Sequence, residues 1–333
     1  MSDTSLVAVV GSETLLGREI RDLVSNSATT LELRLIDTGE AAAGAAEDEE
    51  PDPPVDLKAA NLAGARAVFL AGSPAANRKA IALVDGEAAL IDLAFAAEEL
   101  PQARLRAPLV ESEDVEDADD HGVHVIAHPA AIALALFLRR LQAHDPVRRS
   151  VVQIFAPASE HGARGVEELQ QQTISLLSFK NLPRAVFDTQ ASFNLLARYG
   201  PDAPRSLEET ELRIERHLAT LLALPGEGEG APMPSLRLIQ APVFHGYGIS
   251  AWVQFEENPG VDALENGLAN PPIDVRGPEV EAPTTVGQAG QGGIAVGAIA
   301  EDRNDPQACW FWLVADNLRL AAENAVAVAE RLS

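Results

Sequence analysis

The pattern of apolar and polar positions at the start of the chain predicts a strand, a tight turn and a helix. Residues 7–10 are four consecutive apolar residues that favour strands, and they lead directly into Gly11. After a short polar stretch, Leu15, Leu16 and Ile20 are spaced as on one face of a helix. An apolar strand of this kind is typical of a parallel sheet covered on both faces. We expect the unit to open a Rossmann-type domain.

The same alternation of strand and helix continues to about residue 132 and then changes. The further strands of the first part are predicted at 31–36, 67–70, 89–93, 109–110 and 123–127. A strongly apolar helix at 132–141 is followed by less regular strands at 150–155, 235–242, 249–256, 294–300 and 308–314. Helices are predicted at 166–177, 207–224 and 318–332. Loops are predicted at 41–56 and 113–120 in the first part and at 227–230 and 283–293 in the second. We therefore expect an α/β protein, with a parallel-sheet domain of residues 1–132 plus 315–333 and a second α/β domain of residues 133–314.

The first turn carries part of a nucleotide-binding pattern. Gly11 and Gly17 stand where such a turn bends and where its helix packs on the strand, but the middle position is Thr14, whose Cβ crowds the place of the phosphate oxygens. Asp37, at the end of the second strand, is suited to bond ribose hydroxyls and repels a 2′-phosphate. Ser12 and Leu15 complete the candidate contacts of the turn. Two interpretations stay open, a nucleotide site and a scaffold without nucleotide.

Composition narrows the classes of partner. The net charge of −25 argues against nucleic acid and anionic membranes, and with only three Lys in the chain it suggests adaptation to high salt. No apolar run reaches the length of a membrane span and no secretory signal is recognisable, so we expect a cytoplasmic protein. The single Cys309 lies in an apolar strand pattern and is predicted to be a core thiol rather than a nucleophile. No His/Cys cluster has metal-ligand spacing, so no metal is expected.

Several segments, in order along the chain, resemble one family. The segments are Gly-Val-Glu-Glu-Leu at 165–169, Phe-Asn-Leu-Leu at 193–196, Ala-Pro-Val-Phe at 241–244 and Leu-Val-Ala-Asp-Asn-Leu-Arg at 313–319. Through them the chain resembles the aspartate-semialdehyde dehydrogenases, and within them the Usg-like (USG-1) homologues that lack the catalytic cysteine. The resemblance implies a Rossmann domain, a glyceraldehyde-3-phosphate-dehydrogenase-like dimerisation domain and a homodimer. It also implies NADP or NAD as cofactor, with Gly72 and Asn317 among its contacts.

The family's reaction, a step of amino-acid biosynthesis, is the reductive dephosphorylation of aspartyl phosphate by NADPH through a cysteine thioester. By the resemblance, the cysteine position is Pro129, the partner glutamine position is Ala156 and the general-base histidine position is Tyr247. His245, two residues before Tyr247, would share its strand face and is a possible substitute. A substrate-binding lysine position is Glu211.

Three functional hypotheses follow from these substitutions. The first is a non-enzymatic dimer that binds a protein partner or a small molecule in the former cleft. The second is an oxidoreductase that acts on another aldehyde or oxo group, with Tyr247 or His245 as the acid. The third is an ordinary aspartate-semialdehyde dehydrogenase, against which the missing cysteine argues.

Overall fold

The structure is a computed structural model that describes residues 5–26, 29–39, 54–84, 86–112 and 122–332. The chain divides into two compact units, residues 1–127 with 321–333 and residues 128–320. The sequence placed the first boundary at residue 132, inside a helix that the structure begins at Pro129 and assigns wholly to the second unit. No helix among the described residues is long and apolar enough to cross a membrane.

The first unit is built on a parallel sheet of seven strands. They are β1 (Ser5–Val10), β2 (Leu31–Asp37), β3 (Val55–Asp56), β4 (Ala67–Leu70), β5 (Ala89–Asp92), β6 (Ala103–Arg106) and β7 (Val123–Ile126). Their order is β3-β2-β1-β4-β5-β7-β6, and every neighbouring pair is parallel. The helices of this unit include α1 (Leu15–Asn26), α2 (Ala59–Leu62) and α3 (Pro74–Leu83). The chain reverses direction across the sheet between β1 and β4, where open α/β sheets bind ligands.

Two sequence predictions in this unit need correction. Residues 109–110, predicted as a strand, lie in a turn in which the N–H groups of Val110 and Glu111 both donate to the carbonyl of Ala107, at 2.7 and 3.0 Å. The strand is β6, just before that turn. Part of the predicted loop at 41–56 forms β3, while the acidic stretches at 47–52 and 113–120 lie outside the described residues.

The second unit contains a mixed sheet of six strands and most of the helices. The strands are β8 (Val147–Ala156), β9 (Ser235–Gln240), β10 (Tyr247–Phe255), β11 (Ile273–Arg276), β12 (Ile294–Glu301) and β13 (Ala308–Ala315), in the order β11-β12-β13-β10-β8-β9. The helices are α4 (Pro129–His144), α5 (Gly162–Leu177), α6 (Leu207–Leu222) and α7 (Val261–Leu268), with a 3₁₀ helix at Ala158–His161. Helix α8 (Asn317–Arg331) begins in this unit, and its residues after 320 belong to the first. The predicted α/β fold class is confirmed.

The two faces of the mixed sheet differ in character. On one face Phe311 meets Phe137 of the almost wholly buried helix α4 edge to face, with ring centroids 5.0 Å apart. Cys309 is fully buried in the same strand, as predicted. On the other face Val151, Trp252 and Trp310 lie side by side across β8, β10 and β13, and Val151 and Trp310 are 39% and 41% exposed.

A buried ionic cluster joins the end of β6 to helix α8 in the first unit. The guanidinium of Arg106 donates to both carboxylate oxygens of Glu111, at 2.9 to 3.2 Å, and Arg331 donates to the same carboxylate at 3.2 Å. The side chains of Arg106 and Glu111 are only 6% and 4% exposed. Desolvation makes such a pair weak evidence of net stability, but removing one charge takes away the group that offsets the desolvation of the other.

We therefore predict that Glu111→Gln lowers the free energy of unfolding by about 3 kcal/mol, because two guanidinium groups lose the charge that faces them. Urea denaturation monitored by circular dichroism measures the effect. Glu32→Gln, at an exposed position of β2, removes the same charge and is expected to change the stability by less than about 0.5 kcal/mol. Equal effects of the two substitutions would contradict the assigned role of the cluster.

Candidate functional site

The turn after β1 depends on its two glycines. Gly11 has φ +83°, and a Cβ there would lie 2.5 Å from the backbone of Gly72 at the end of β4. A Cβ on Gly17 would lie 2.2 Å from the carbonyl oxygen of Gly11. Both positions therefore require glycine for close backbone approach, as the sequence predicted for the bending and helix-packing positions.

Thr14 acts as a structural residue within this turn. Its hydroxyl accepts the N–H of Gly17 at 3.0 Å and so caps helix α1, and its hydrogen faces the carbonyls of Gly11 at 2.8 Å and Ala71 at 3.0 Å. The side chain thereby bridges the ends of β1 and β4. Leu15, another predicted contact, is the first residue of the helix.

Acidic side chains lie at the carboxyl ends of the neighbouring strands. One carboxylate oxygen of Glu13 accepts the N–H of Thr38 at 3.3 Å and also its hydroxyl. The other oxygen, Oε2, is buried without a hydrogen-bond partner among the described residues. Asp37 accepts the N–H of Gly39 at 2.7 Å, and Ser12 points its hydroxyl toward the carbonyl of Ile36 at 3.5 Å. The structure thus brings Gly11, Ser12, Thr14, Asp37 and Gly72 together at one edge of the sheet.

In the second unit, helix α4 begins with a histidine and a proline. The Nδ1 atom of His128 accepts the N–H of Ala130 at 3.3 Å and caps the helix, and Pro129 occupies the first helical position. The backbone N–H of His128 donates to Nδ1 of His217 on α6 at 2.9 Å. Because Nδ1 of His128 is an acceptor here, its Nε2 carries the proton and is a donor.

Glu160 accepts hydrogen bonds from His128 and from a residue of the mixed sheet. Nε2 of His128 lies 3.0 Å from Oε1 of Glu160, and the hydroxyl of Tyr247, the first residue of β10, donates to Oε2. Burial would raise the pKa of Glu160, but the electrostatic attraction and the hydrogen bond of the His128 N–H and the hydrogen bond from Tyr247 outweigh it and lower the pKa to about 2. Burial and the neighbouring carboxylate raise the pKa of Tyr247 well above its usual range.

A second chain of hydrogen bonds runs beside the first. The amide nitrogen of Gln240 donates to the carbonyls of Ala156 and Ala241, both at 2.9 Å, so its oxygen faces Tyr199 and accepts that hydroxyl at 2.7 Å. The hydroxyl of Tyr199 must then accept from Nε2 of His161 at 2.9 Å. Burial, with the charge of Arg205, lowers the pKa of His161 to about 4 despite the nearby Glu160, so the ring is neutral at pH 7.

Tyr199 also lines a cavity of about 550 Å³ within the second unit. Three arginines, Arg198, Arg205 and Arg237, share its wall with two acids, Glu208 and Glu211. Glu211 accepts the N–H of Leu238 at 2.6 Å and lies 3.6 Å from Arg237. The charges make this cavity suited to a polar ligand rather than an apolar one.

The residues predicted from the resemblance fall into two sets within this unit. Ala156, at the end of β8, belongs to the Gln240 network, and Tyr247 belongs to the Glu160 network, which extends to the residue preceding Pro129. The predicted position of His245 on the strand face of Tyr247 is wrong. Strand β10 begins at Tyr247, and Gly246 between them has φ +80°, so His245 lies in the preceding turn.

Asn317 also contributes to the structure of this region. Its side-chain oxygen accepts the hydroxyl of Ser159 at 3.1 Å and the N–H of Gly246 at 3.0 Å. It therefore fixes the turn before β10 against the 3₁₀ helix that carries Glu160. The expectation that Asn317 contacts a nucleotide stays a prediction.

Sequence reasoning did not single out Glu160, His128, His161, Tyr199 or Gln240. The available signal was a Glu-His pair at residues 160–161, four residues after the end of a strand. The partners of this pair lie far away in the sequence, so spacing alone does not reveal them. Among the described residues, no group of three or more His, Cys, Asp or Glu side chains is arranged to hold a metal ion.

Comparison with known proteins agrees with this architecture. The family model for the semialdehyde dehydrogenase dimerisation domain matches residues 138–320. The chain is 32% identical to a USG-1 protein homolog of Pseudomonas aeruginosa over 100% of this chain and 98% of that protein. It is 28% identical to the aspartate-semialdehyde dehydrogenase of Aquifex aeolicus over 80% and 78% of the two chains.

Solved structures give the same result. A probable aspartate-semialdehyde dehydrogenase from Pseudomonas aeruginosa superposes with a TM-score of 0.80 at 29% identity, covering 99% of this chain and 98% of that one. The Candida albicans enzyme, solved with NADP, has a TM-score of 0.68 over 99% and 98% of the chains. At 15% identity this second likeness shows the fold alone.

The low pKa of Glu160 predicts a specific loss of stability in acid. A carboxyl group whose pKa falls from 4.5 to about 2 on folding stabilises the protein above pH 4.5, and this contribution disappears as the pH falls through that interval. Between pH 6 and pH 3 the wild type is therefore expected to lose about 2 kcal/mol more stability than Glu160→Gln. Urea denaturation at both pH values measures the difference. Parallel losses in the two proteins would show that the carboxylate does not depend on its donors.

Proposed function

The chain belongs to the semialdehyde dehydrogenase family, and on that premise we propose that it is a member without the family's phosphorylating dehydrogenase activity. In this proposal the protein is retained as a homodimer that binds a ligand or a protein partner. The proposal depends mainly on the first residue of α4, Pro129, which occupies the position that the resemblance assigns to the nucleophile.

Pro129 has no atom that can form a thioester. Its ring suits the first turn of a helix, where the missing N–H costs nothing, so the position serves the helix instead. The single cysteine does not replace it. Cys309 is buried in β13, its thiol lies 3.5 Å from the side-chain oxygen of Asn258, and burial raises the pKa of the thiol. A nucleophilic cysteine requires the opposite, an accessible and easily ionised thiol.

The position assigned to the general base is equally unsuited to its task. Tyr247 is fully buried and donates its proton to Glu160, and its raised pKa keeps that proton in place. A protonated, hydrogen-bonded phenol does not accept a proton from a thiol. The same contacts disfavour the alternative oxidoreductase, because Tyr247 would have to release its proton to a substrate while facing a carboxylate.

The proposal does not depend on the cofactor. The resemblance implies NADP or NAD, and a protein with a bound nucleotide but no nucleophile would still form no thioester. A small-molecule ligand is supported by the polar cavity beside Tyr199, with its three arginines.

The proposed homodimer uses the outer face of the mixed sheet. Trp252 and Trp310 both donate their indole N–H to Asp302, at 2.7 and 3.0 Å, which holds the two rings side by side. Trp312 lies over Gly248, where a Cβ would be 2.8 Å from its ring, and near Phe155 at 6.1 Å. A rigid aromatic surface with its polar atoms already bonded is typical of the centre of a protein interface.

We predict that the purified protein forms no detectable NADPH from aspartate semialdehyde, phosphate and NADP, and that Pro129→Cys does not restore the reaction. The new thiol would still lack a base, since Tyr247 remains bound to Glu160. Absorbance at the NADPH wavelength measures the reaction, with an active dehydrogenase as the positive control. Turnover by the wild type would refute the proposal, and turnover by Pro129→Cys alone would show that the rest of the site is intact.

We also predict that Trp310→Glu yields a monomer while the wild type and Trp310→Phe have twice the mass of one chain. A carboxylate at the centre of an apolar interface would be desolvated without a partner. Light scattering at micromolar concentration measures the mass, and circular dichroism checks that the variant is folded. A Trp310→Glu dimer would place the interface elsewhere, and a wild-type monomer would end the homodimer proposal.

A further inference from the structure

We infer that Glu13 and Thr14 make the turn after β1 reject the pyrophosphate of a dinucleotide, so that the first unit does not hold NAD or NADP. This departs from what family membership implies. It concerns the first unit and does not rest on the proposed loss of catalysis in the second.

Three backbone donors of the turn are used within the protein. A pyrophosphate at such a turn is bound by N–H groups that have no partner in the protein. Here the N–H of Ser12 donates to the carbonyl of Ile36 at 3.3 Å, and that of Thr14 donates to the carbonyl of Gly11 at 3.0 Å. The N–H of Gly17, at the start of α1, donates to the Thr14 hydroxyl at 3.0 Å. Three donors of the turn are therefore already satisfied.

Thr14 also removes the space that a glycine would leave. Its hydroxyl lies within hydrogen-bond distance of the carbonyls of Gly11 and Ala71, the residues directly after the two strands that flank the reversal point of the sheet. The side chain therefore fills the gap between the ends of β1 and β4. A phosphate group approaching the backbone there would have to displace a side chain with three hydrogen-bond contacts.

Glu13 adds a charge of the wrong sign. Its Oε1 atom is held by both donors of Thr38, which fixes the carboxylate beside the end of β2. Its Oε2 atom is buried and has no partner among the described residues. This oxygen needs a hydrogen-bond donor, whereas an ionised phosphate offers only acceptors and negative charge. A phosphate beside this carboxylate would therefore meet a like charge and no hydrogen-bond donor from Glu13.

Asp37 adds a second negative charge beside Glu13 and repels the 2′-phosphate of NADP. It stands at the end of β2, one residue before Thr38, so two carboxylates lie at adjacent strand ends of the first unit. An adenine ribose alone could be accommodated by Asp37 through its hydroxyls. The attached pyrophosphate would then lie toward Glu13, at the turn where phosphates bind in such sheets.

The test is a titration with NADH and NADPH, monitored by nicotinamide fluorescence and by calorimetry. Three variants are compared with the wild type: Glu13→Gln, the double variant Glu13→Ala/Thr14→Gly, and the control Glu32→Gln. The control removes one carboxylate at an exposed position of β2 and leaves the turn intact. Circular dichroism and thermal unfolding establish that each protein is folded.

We expect the wild type and Glu32→Gln to show no saturation up to about 1 mM of either nucleotide. Glu13→Gln is expected to bind at least about tenfold more tightly than the control, and the double variant more tightly still. Saturation of the wild type at micromolar nucleotide would overturn the inference. A folded Glu13→Gln that binds no better than Glu32→Gln would also overturn it. Because Glu13→Gln keeps the shape of the side chain, it provides this test even if the double variant fails to fold. None of these outcomes touches the missing nucleophile, which the NADPH-formation assay tests separately.

Discussion

The second unit depends on Glu160, a largely buried carboxylate that must receive hydrogen bonds. A carboxylate in a protein interior is tolerated only when donors replace its lost hydration. His128 at the start of α4 and Tyr247 at the start of β10 provide those donors. The carboxylate of Glu160 therefore connects its 3₁₀ helix to helix α4 and to the mixed sheet. Asn317 strengthens this connection, because it binds both Ser159 beside Glu160 and Gly246 beside Tyr247.

This arrangement explains how the proposed loss of the family's chemistry is compatible with a well-packed protein. The residues at the two positions assigned to nucleophile and base both have structural roles. Pro129 starts a helix, and Tyr247 satisfies a buried charge. Restoring one catalytic residue would remove a structural contact without supplying the others, so the substitutions are coupled through shared partners.

The turn of the first unit follows the same principle independently. The side chains of Glu13 and Thr14 bind other parts of the protein, namely Thr38 and the backbone of Gly11 and Ala71. They do so at the turn where a nucleotide would have to bind. In both units, therefore, side chains that form internal hydrogen bonds occupy positions that the family resemblance assigns to ligand binding or catalysis. The scaffold survives because its requirements, glycine at Gly11 and Gly17 and an apolar sheet, are separate from those of the chemistry.

The features that depend on local pattern could be predicted from the amino-acid sequence. The strand, turn and helix around Gly11, the buried Cys309 and the α/β class all follow from periodicity and from what glycine permits, and ordered segments such as 313–319 were sufficient to identify the family. Which side chains contact one another depends on the folded arrangement of the elements. Glu160 lies 32 residues from His128 and 87 from Tyr247 in the chain, and Glu13 lies 25 from Thr38. The strand predicted at 109–110 and the strand position of His245 failed because a turn and a glycine with positive φ interrupt the local pattern. Hydrogen-bond partners across elements depend on how the elements pack, and no spacing along the chain encodes that packing.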